Sequence, residues 1–159
     1  MSRTSSGILM FRTTEPGSQL EVLVVHPGGP LWAQKDEGVW SIPKGEHGPG
    51  EDPLECARRE FEEELGTASP EGPFMDLGEV SQRGGKRVRA WAVAGDLDTE
   101  RISSNTFEME WPPRSGRRSS FPEVDRAAWL TMDQARQRLN PAQVGFLDRL
   151  LEELAKNRR

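Results

Sequence analysis

The chain has 159 residues, a formal net charge of −5 and a single cysteine, Cys56. This length suits one domain over residues 1–159 with its own core. The acidic balance argues against general affinity for nucleic acids, and one cysteine cannot form an internal disulfide bond. No apolar run approaches the ~18 residues of a membrane span, and no signal peptide is evident. We therefore expect a cytoplasmic protein without a membrane partner.

The first part of the chain predicts two strands. Apolar runs occupy residues 5–11 and 20–26, and the second run is apolar enough to be buried on both faces. A turn rich in Pro, Gly and Ser over residues 13–18 separates them, which favours paired strands. Further on, Pro43 and Gly45 predict a tight turn that can aim backbone carbonyl groups at a metal ion.

Residues 45–67, with the sequence GEHGPGEDPLECARREFEEELGT, predict a loop that leads into a helix. Asp52 is a typical N-cap, Pro53 suits the first helical position, and Gly66 is a natural stop. At about 100° per residue, one face of this helix is an apolar stripe made of Leu54, Ala57, Phe61 and Leu65. The adjacent face carries three carboxylates within one turn, those of Glu60, Glu63 and Glu64.

The second half of the chain predicts further strands followed by two helices. Strands are expected at residues 75–82, 86–94, 107–111 and 124–130, with a two-residue hairpin turn at Gly84 and Gly85. In residues 86–94 every second position is Val or Ala, which predicts a half-exposed strand with Val88, Ala90, Ala92 and Ala94 on one side. Residues 112–120 predict a basic, flexible loop, and helices are expected at 132–139 and 141–156.

The acidic face of the first helix needs an explanation, since like charges at this spacing weaken a helix. Three clustered carboxylates suit a hard divalent cation that keeps several waters, which indicates Mg²⁺, with Mn²⁺ as an alternative. A solvated acidic face is the plainer interpretation of such a run. The Gly-rich loop before it and the fixed offsets of Glu51 and Arg59 favour a metal site.

This stretch resembles the Nudix box, the signature of hydrolases that act on nucleoside diphosphates linked to another group. Thr67 stands where an aliphatic residue is more usual, and the matching positions are Gly45, Glu51, Arg59, Glu60, Phe61, Glu63, Glu64 and Gly66. The resemblance implies an α/β fold, a three-layer α/β/α sandwich around a mixed β-sheet. It also implies Mg²⁺-dependent attack of water on a phosphoanhydride. The GVWSIPKGE segment before the box looks most similar to the diadenosine tetraphosphate hydrolase branch.

Residues of the box have distinct expected roles. Glu60 and Glu64 lie one turn apart and can share one cation. Glu63 is either a further ligand or the base that takes a proton from water. Glu51 is either a direct ligand or a structural residue that holds the loop by capping helical N–H groups. Arg59 is expected to orient the neighbouring carboxylates, because its fork suits them.

Two candidate residues lie outside the helix. Lys44 can touch phosphate with its ammonium group or, as the resemblance implies, bind a metal ion through its carbonyl. Glu123 precedes Trp129 by six residues, and the resemblance implies that an acidic residue there reaches the metals as a ligand or as the base. An exposed loop residue is the default interpretation of Glu123. Glu108 and Glu110 are weaker candidates for the same role.

Substrate contacts are predicted from charge and aromaticity. A polyphosphate needs several cations at once, and two basic groups are available: Arg83, Lys86, Arg87 and Arg89, and Arg114, Arg117 and Arg118. Of these we predict Arg87 and Arg89, together with Lys44, as substrate contacts. Candidates for stacking on a base are Trp32, Trp40, Phe107 and Trp111, of which we predict Trp40.

We therefore expect a Mg²⁺-dependent pyrophosphohydrolase that cleaves a phosphoanhydride in a nucleotide, with a dinucleoside polyphosphate of the diadenosine tetraphosphate type as its substrate. One alternative is a house-cleaning nucleoside triphosphate pyrophosphatase. Others are a diphosphoinositol polyphosphate hydrolase and a catalytically silent nucleotide-binding regulator. The protein is expected to be a monomer or a homodimer.

Overall fold

The computed structural model describes residues 4–14 and 19–157. Its strands are Thr4–Thr14 (β1), Gln19–Pro27 (β2), Lys44–Glu46 (β3), Met75–Ser81 (β4), Arg87–Ala94 (β5), Thr106–Glu110 (β6), Arg118–Pro122 (β7) and Val124–Thr131 (β8). Its helices are Pro53–Leu65 (α1), Met132–Arg138 (α2) and Gly145–Lys156 (α3). Residues 15–18 of the predicted turn lie outside the described ranges.

The main sheet is mixed and has the order β4-β5-β1-β2-β8. β1 pairs with β5 in parallel, and the other strand pairs in this sheet are antiparallel. Because β5 takes one edge of β1, the other edge is shared between β3, which pairs with residues 5–7, and β2, which pairs with residues 11–14. The short strand β3 is therefore fixed beside the start of β1, directly in front of α1.

Helices cover both faces of this sheet. On one face the buried core contains Ala57, Phe61 and Leu65 of α1 together with Ile8, Met10, Leu23, Val25, Trp91 and Val93. On the other face, residues of α2 and α3 such as Ala135, Phe146, Leu147 and Leu150 pack against Leu9, Val22, Val24, Val88, Ala90 and Ala92. Neighbouring residues of each central strand point into different layers, as the strand alternation requires. The predicted three-layer sandwich is confirmed.

The first helix has the ends that its sequence predicts. The Asp52 carboxylate accepts hydrogen bonds from the backbone N–H groups of Leu54 and Glu55, at 3.1 and 3.2 Å. Gly66 adopts a left-handed conformation with φ of 77°, and its N–H donates to the carbonyl of Glu62. These caps satisfy groups that a helix end leaves unpaired. The buried stripe then orients the carboxylate face of α1 away from the core.

Several predicted elements differ from those observed. The basic loop expected over residues 112–120 ends in a strand, β7, which pairs with β6 in a separate two-stranded sheet. The turn between β4 and β5 is a 3₁₀ turn, Arg83–Gly85, instead of a two-residue hairpin turn. The last helix begins at Gly145 because a separate 3₁₀ turn, Pro141–Gln143, precedes it.

Strand β5 is also more buried than its alternation indicates. Residues from Ala90 to Val93 are all buried, whereas Ala94 is exposed. The reason is its central place between β4 and β1, where helices cover both faces of the sheet. None of the helices in the described ranges is long and apolar enough to cross a membrane.

Candidate active site

A polar cleft of about 690 Å³ opens in front of the acidic face of α1. Its walls come from β3 and the loop after it, from α1, from the residue before β6 and from the residue between β7 and β8. The lining residues are Lys44, Gly45, Glu46, His47, Gly48, Arg59, Glu60, Glu63, Glu64, Asn105 and Glu123. The fold thus brings the box carboxylates and Glu123 into one cleft.

Gly45 lets β3 approach the carboxylate of Glu60. A Cβ atom at Gly45 would overlap the Glu60 carboxylate, far inside the 3.0 Å below which real Cβ contacts are essentially never found. The carbonyl of Gly45 also accepts a hydrogen bond from the thiol of Cys56 at 3.4 Å. The absence of a side chain at Gly45 is therefore what keeps the Glu60 carboxylate at the floor of the cleft.

Arg59 connects the loop to the carboxylates of the helix. Its Nε and Nη2 donate to the two carboxylate oxygens of Glu51 at 2.8 and 2.9 Å. Its Nη1 donates to Glu60 at 3.0 Å and to both oxygens of Glu63 at 3.1 Å. Such charge-assisted, two-pronged contacts fix geometry as well as contributing energy. Arg59 thus orients carboxylates and does not stand free in the cleft.

Glu51 holds the loop through Arg59 instead of through helical N–H groups, which Asp52 caps. Besides the two bonds from Arg59, the Glu51 carboxylate accepts the backbone N–H of Gly48 at 2.9 Å. The Arg59 guanidinium, with help from that N–H, lowers the pKa of Glu51 to about 2. Glu51 therefore remains a carboxylate that fixes the loop between β3 and α1.

Glu64 has the most strongly raised pKa among the cleft carboxylates. Burial raises its pKa to about 8, and the charges of Glu60 and Glu123 act in the same direction. Burial also raises the pKa of Glu60, with Glu63 as the next cause. Burial also lowers the pKa of the Lys44 ammonium, which lines the same cleft. The cleft thus holds more acidic than basic side chains, which disfavours ionisation of all its carboxylates at once.

Glu123 is held at the cleft by its backbone. Its N–H donates to the carbonyl of Asn105 at 2.9 Å, and its own carbonyl accepts the N–H of Gly28 at 2.9 Å. The N–H of Asn105 in turn donates to the carbonyl of Glu63 at 2.8 Å. Glu123 is therefore connected to α1 through a single intermediate residue.

Glu108 and Glu110 are exposed on β6 and do not line the cleft. Glu110 instead accepts the backbone N–H of Arg114 at 2.7 Å, near the far end of that hairpin.

Three predicted substrate contacts lie outside the cleft. Trp40 is only 4% exposed, its ring packs edge-on against His26, and its N–H donates to Asp36 at 2.7 Å, so it cannot stack on a base. Arg89 pairs with Asp76 at 2.8 Å. Arg87 is exposed at the start of β5, and its guanidinium lies 3.9 Å from the carboxylate of Glu79. Predicted contacts at these three positions are not supported by the geometry.

Other cleft residues were missed from the sequence. His47 lies in the loop after β3, and its Nε2 shares a 2.5 Å hydrogen bond with the hydroxyl of Ser6. Its proximity to Gly45 in the sequence was the available signal. Asn105 enters the cleft because residue 105 faces residue 123 across a hairpin, and that pairing was hidden when β7 was predicted to be a loop. Glu46 also lines the cleft, at the end of β3.

The residues present fit a hard divalent cation. Within the described ranges, no three His, Cys, Asp or Glu side chains converge closely enough to form a complete site as they stand. Glu63 and one oxygen of Glu60 are turned toward Arg59. The donor set is nevertheless all-carboxylate, and a cation beside Glu60 and Glu64 would favour the ionised form of Glu64, whose pKa is raised in its absence.

Comparisons with known proteins identify a family model and several similar folds. A family model for the NUDIX domain matches residues 1–150. The fold is similar to that of C. elegans Ap4A hydrolase in a binary complex (TM-score 0.67, 19% identity, covering 97% of this chain and 98% of that one).

It is also similar to the NUDIX domain of Shewanella oneidensis NrtR complexed with ADP ribose (TM-score 0.64, 15% identity, 97% and 89% covered). A third similar structure is the Nudix hydrolase RenU from M. smegmatis (TM-score 0.59, 23% identity, 98% and 88% covered). At these identities the structural likeness shows the fold alone. No curated protein matches the sequence significantly.

Proposed function

The chain belongs to the Nudix family and is a hydrolase of phosphoanhydrides, and we propose that it cleaves a dinucleoside polyphosphate of the diadenosine tetraphosphate type with Mg²⁺ as cofactor. One observation carries the proposal: the box carboxylates and Glu123 line a single polar cleft. The fold similarity to C. elegans Ap4A hydrolase over nearly the full length of both chains supports this substrate class.

Glu60 and Glu64 are the residues that would hold the cation, and Glu63 is the neighbouring carboxylate that Arg59 keeps oriented. When bound, such a cation supplies charge neutralisation for phosphate oxygens and makes a bound water more acidic. Lys44 also lines the cleft, and its ammonium group can contact a phosphate oxygen.

Glu123 is the proposed base that takes the proton from the attacking water. Both oxygens of Glu63 already accept hydrogen bonds from Arg59. The Glu123 carboxylate, in contrast, has no hydrogen-bond or ion-pair partner in the part of the chain that the structure describes, and it is exposed to the cleft. A free carboxylate can reach a water molecule, which a doubly paired one cannot do as easily.

A substrate panel tests the proposal. Purified protein with Mg²⁺ is given diadenosine tetraphosphate, nucleoside triphosphates, ADP ribose and a diphosphoinositol polyphosphate, and products are identified by chromatography. We expect asymmetric cleavage of diadenosine tetraphosphate to a triphosphate and a monophosphate, with kcat/KM highest for this substrate.

Glu64→Gln serves as the inactive control. It should lower kcat by about 100-fold, roughly the loss of ~3 kcal/mol of transition-state stabilisation. Highest kcat/KM on a nucleoside triphosphate, with release of pyrophosphate, would replace the dinucleoside assignment with the house-cleaning one. Near-normal turnover by Glu64→Gln would remove Glu64 from the metal site.

A further inference from the structure

The hairpin formed by β6 and β7 rises from the rim of the cleft. Its register runs from Thr106 opposite Pro122 to Glu110 opposite Arg118. The same pairing continues one step at each end. At the base, the Glu123 N–H donates to the Asn105 carbonyl at 2.9 Å, and at the tip the Trp111 N–H donates to the Arg117 carbonyl at 2.9 Å.

One face of this hairpin therefore continues the wall of the active-site cleft. Side chains of directly paired residues share a face, and every second pair shares the same one. From base to tip, this face carries the pairs Asn105 and Glu123, Phe107 and Phe121, Met109 and Ser119, and Trp111 and Arg117. We call Phe107, Phe121, Met109 and Trp111 the aromatic ladder.

The aromatic ladder is apolar but not buried in a core. All four of its side chains are half-buried, whereas the opposite face, with Glu108, Glu110 and Arg118, is exposed. None of the four belongs to either of the two cores that flank the main sheet. The rings of Phe107 and Phe121 lie 6.0 Å apart between centroids, tilted by 41°.

The loop that follows β2 lies beside the ladder. The backbone at Gly29 touches Phe107, since a Cβ there would lie 2.9 Å from the end of the ring. The same loop carries Trp32, which is 39% exposed, and Leu31, which is 58% exposed. The ladder thus lies beside a loop that carries exposed apolar side chains, and its base adjoins the carboxylate cleft at Asn105 and Glu123.

We propose that the aromatic ladder binds the nucleobase of the substrate whose phosphates lie in the carboxylate cleft. This inference rests on the proposed nucleotide hydrolase function and adds where the nucleoside is recognised. At ~3.3 Å per residue, each step of two residues along the ladder is ~7 Å, so Phe107 and Phe121 lie one step from Glu123 and Trp111 lies three steps away.

The chemistry of the ladder suits a base. A nucleobase offers two flat faces, and stacking on aromatic rings is favourable for every base. Arg117 is the cross-strand neighbour of Trp111 through a backbone hydrogen bond. Its guanidinium forms no ion pair within the described residues, so it can meet either a ring face or a phosphate. The cleft itself is lined by charged and polar groups, and the one ring among its described lining residues is the imidazole of His47, which is hydrogen-bonded to Ser6.

The test uses binding of molecules that contain no phosphoanhydride, so turnover does not interfere. Affinities of the wild-type protein with Mg²⁺ are measured for AMP, GMP, CMP and UMP, and for ribose 5-phosphate, which has the same sugar and phosphate but no base. The test variant is Phe121→Leu/Trp111→Leu, which keeps apolar side chains and removes two aromatic planes. The matched control is Glu108→Gln/Arg118→Gln on the other face of the hairpin.

We expect at least one nucleotide to bind about tenfold or more tightly than ribose 5-phosphate. The test variant should lose that advantage and keep its affinity for ribose 5-phosphate, while the control retains both. NMR signals of the tryptophan indole groups should show a shift of the Trp111 signal with the nucleotide only.

Two results overturn the inference. The first is equal binding of nucleotides by the test variant and the wild type. The second is a dimer in sedimentation that the test variant alone dissociates, with nucleotide affinity unchanged, which assigns the ladder to a subunit interface. Failure of the substrate panel is a separate outcome. If nucleotides bind through the ladder but dinucleoside polyphosphates are not cleaved, only the proposed substrate is wrong.

Discussion

Replacing Gly45 with alanine tests whether the position of the Glu60 carboxylate controls turnover. The backbone of Gly45 is not left-handed, so alanine meets no conformational penalty there. Its Cβ, however, would overlap the carbon and both oxygens of the Glu60 carboxylate. The carboxylate has to move by more than about 1 Å to restore an ordinary contact, and a misplacement of ~1 Å can cost about 100-fold in rate.

The assay is steady-state hydrolysis with Mg²⁺, accompanied by thermal unfolding of each variant. Gly45→Ala should lower kcat by about 100-fold, or ~3 kcal/mol, without loss of the folded state. Gly48→Ala is the matched control, because its Cβ would meet only Glu51, at an ordinary 3.5 Å. We expect that control to remain within a few-fold of the wild type.

A double variant separates steric displacement from other effects. Glu60→Asp withdraws the carboxylate by one methylene, so adding it to Gly45→Ala relieves the overlap. The double variant should be no slower than Glu60→Asp alone, which gives a coupling energy between the two sites. Wild-type turnover by Gly45→Ala would refute the reasoning, because Glu60 would then not need its observed position.

Three further changes probe other parts of the molecule. Glu123→Gln should reduce turnover by about 100-fold with an unchanged melting temperature, whereas Glu108→Gln should resemble wild type. Equal turnover by the two variants would exclude Glu123 as the base. Phe61→Ala removes a ring that is 0% exposed and should lower the free energy of unfolding in urea by about 3–5 kcal/mol. The exposed control Glu62→Ala should lower it by less than ~0.5 kcal/mol. Wild-type stability of Phe61→Ala would contradict the observed packing. The guanidinium of Arg59 lowers the pKa of Glu51 from 4.5 to about 2. The stability that this carboxylate contributes is therefore present above about pH 4.5 and is lost as the pH falls toward 2. The stability difference between wild type and Glu51→Gln should therefore be constant near neutral pH and shrink in acid titrations, and a difference that grows in acid would contradict this sign.

The helix that carries the site was predictable because its signals are local. Asp52, Pro53 and Gly66 determine its ends through their own backbone chemistry, and the periodicity of Phe61 and its neighbours determines which face is buried. The position of Glu123 beside these carboxylates was predicted on different grounds. It came from a resemblance in spacing, and the structure shows the hydrogen bond to Asn105 that achieves it.

What the sequence could not reveal depends on partners distant along the chain. Trp40 was expected to stack on a base, but His26 and Asp36 enclose it, and neither contact is visible as a pattern. Arg89 has its own acidic partner on the neighbouring strand. Strand β7 was hidden because RSSFP is a poor strand sequence in isolation, and it becomes a strand only because β6 supplies its hydrogen bonds.

The cross-strand pair formed by Asn105 and Glu123 places the proposed base at the foot of the hairpin, apart from the strands that project from it. Adding or removing one residue on each side of the tip, within residues 112–116, extends or shortens the ribbon and leaves the base pair in register. The position of the Glu123 carboxylate, the proposed base, is thereby independent of changes in the projecting part of the hairpin. With this arrangement, substitutions in the projecting part of the hairpin can change ligand recognition without moving the carboxylate at its base.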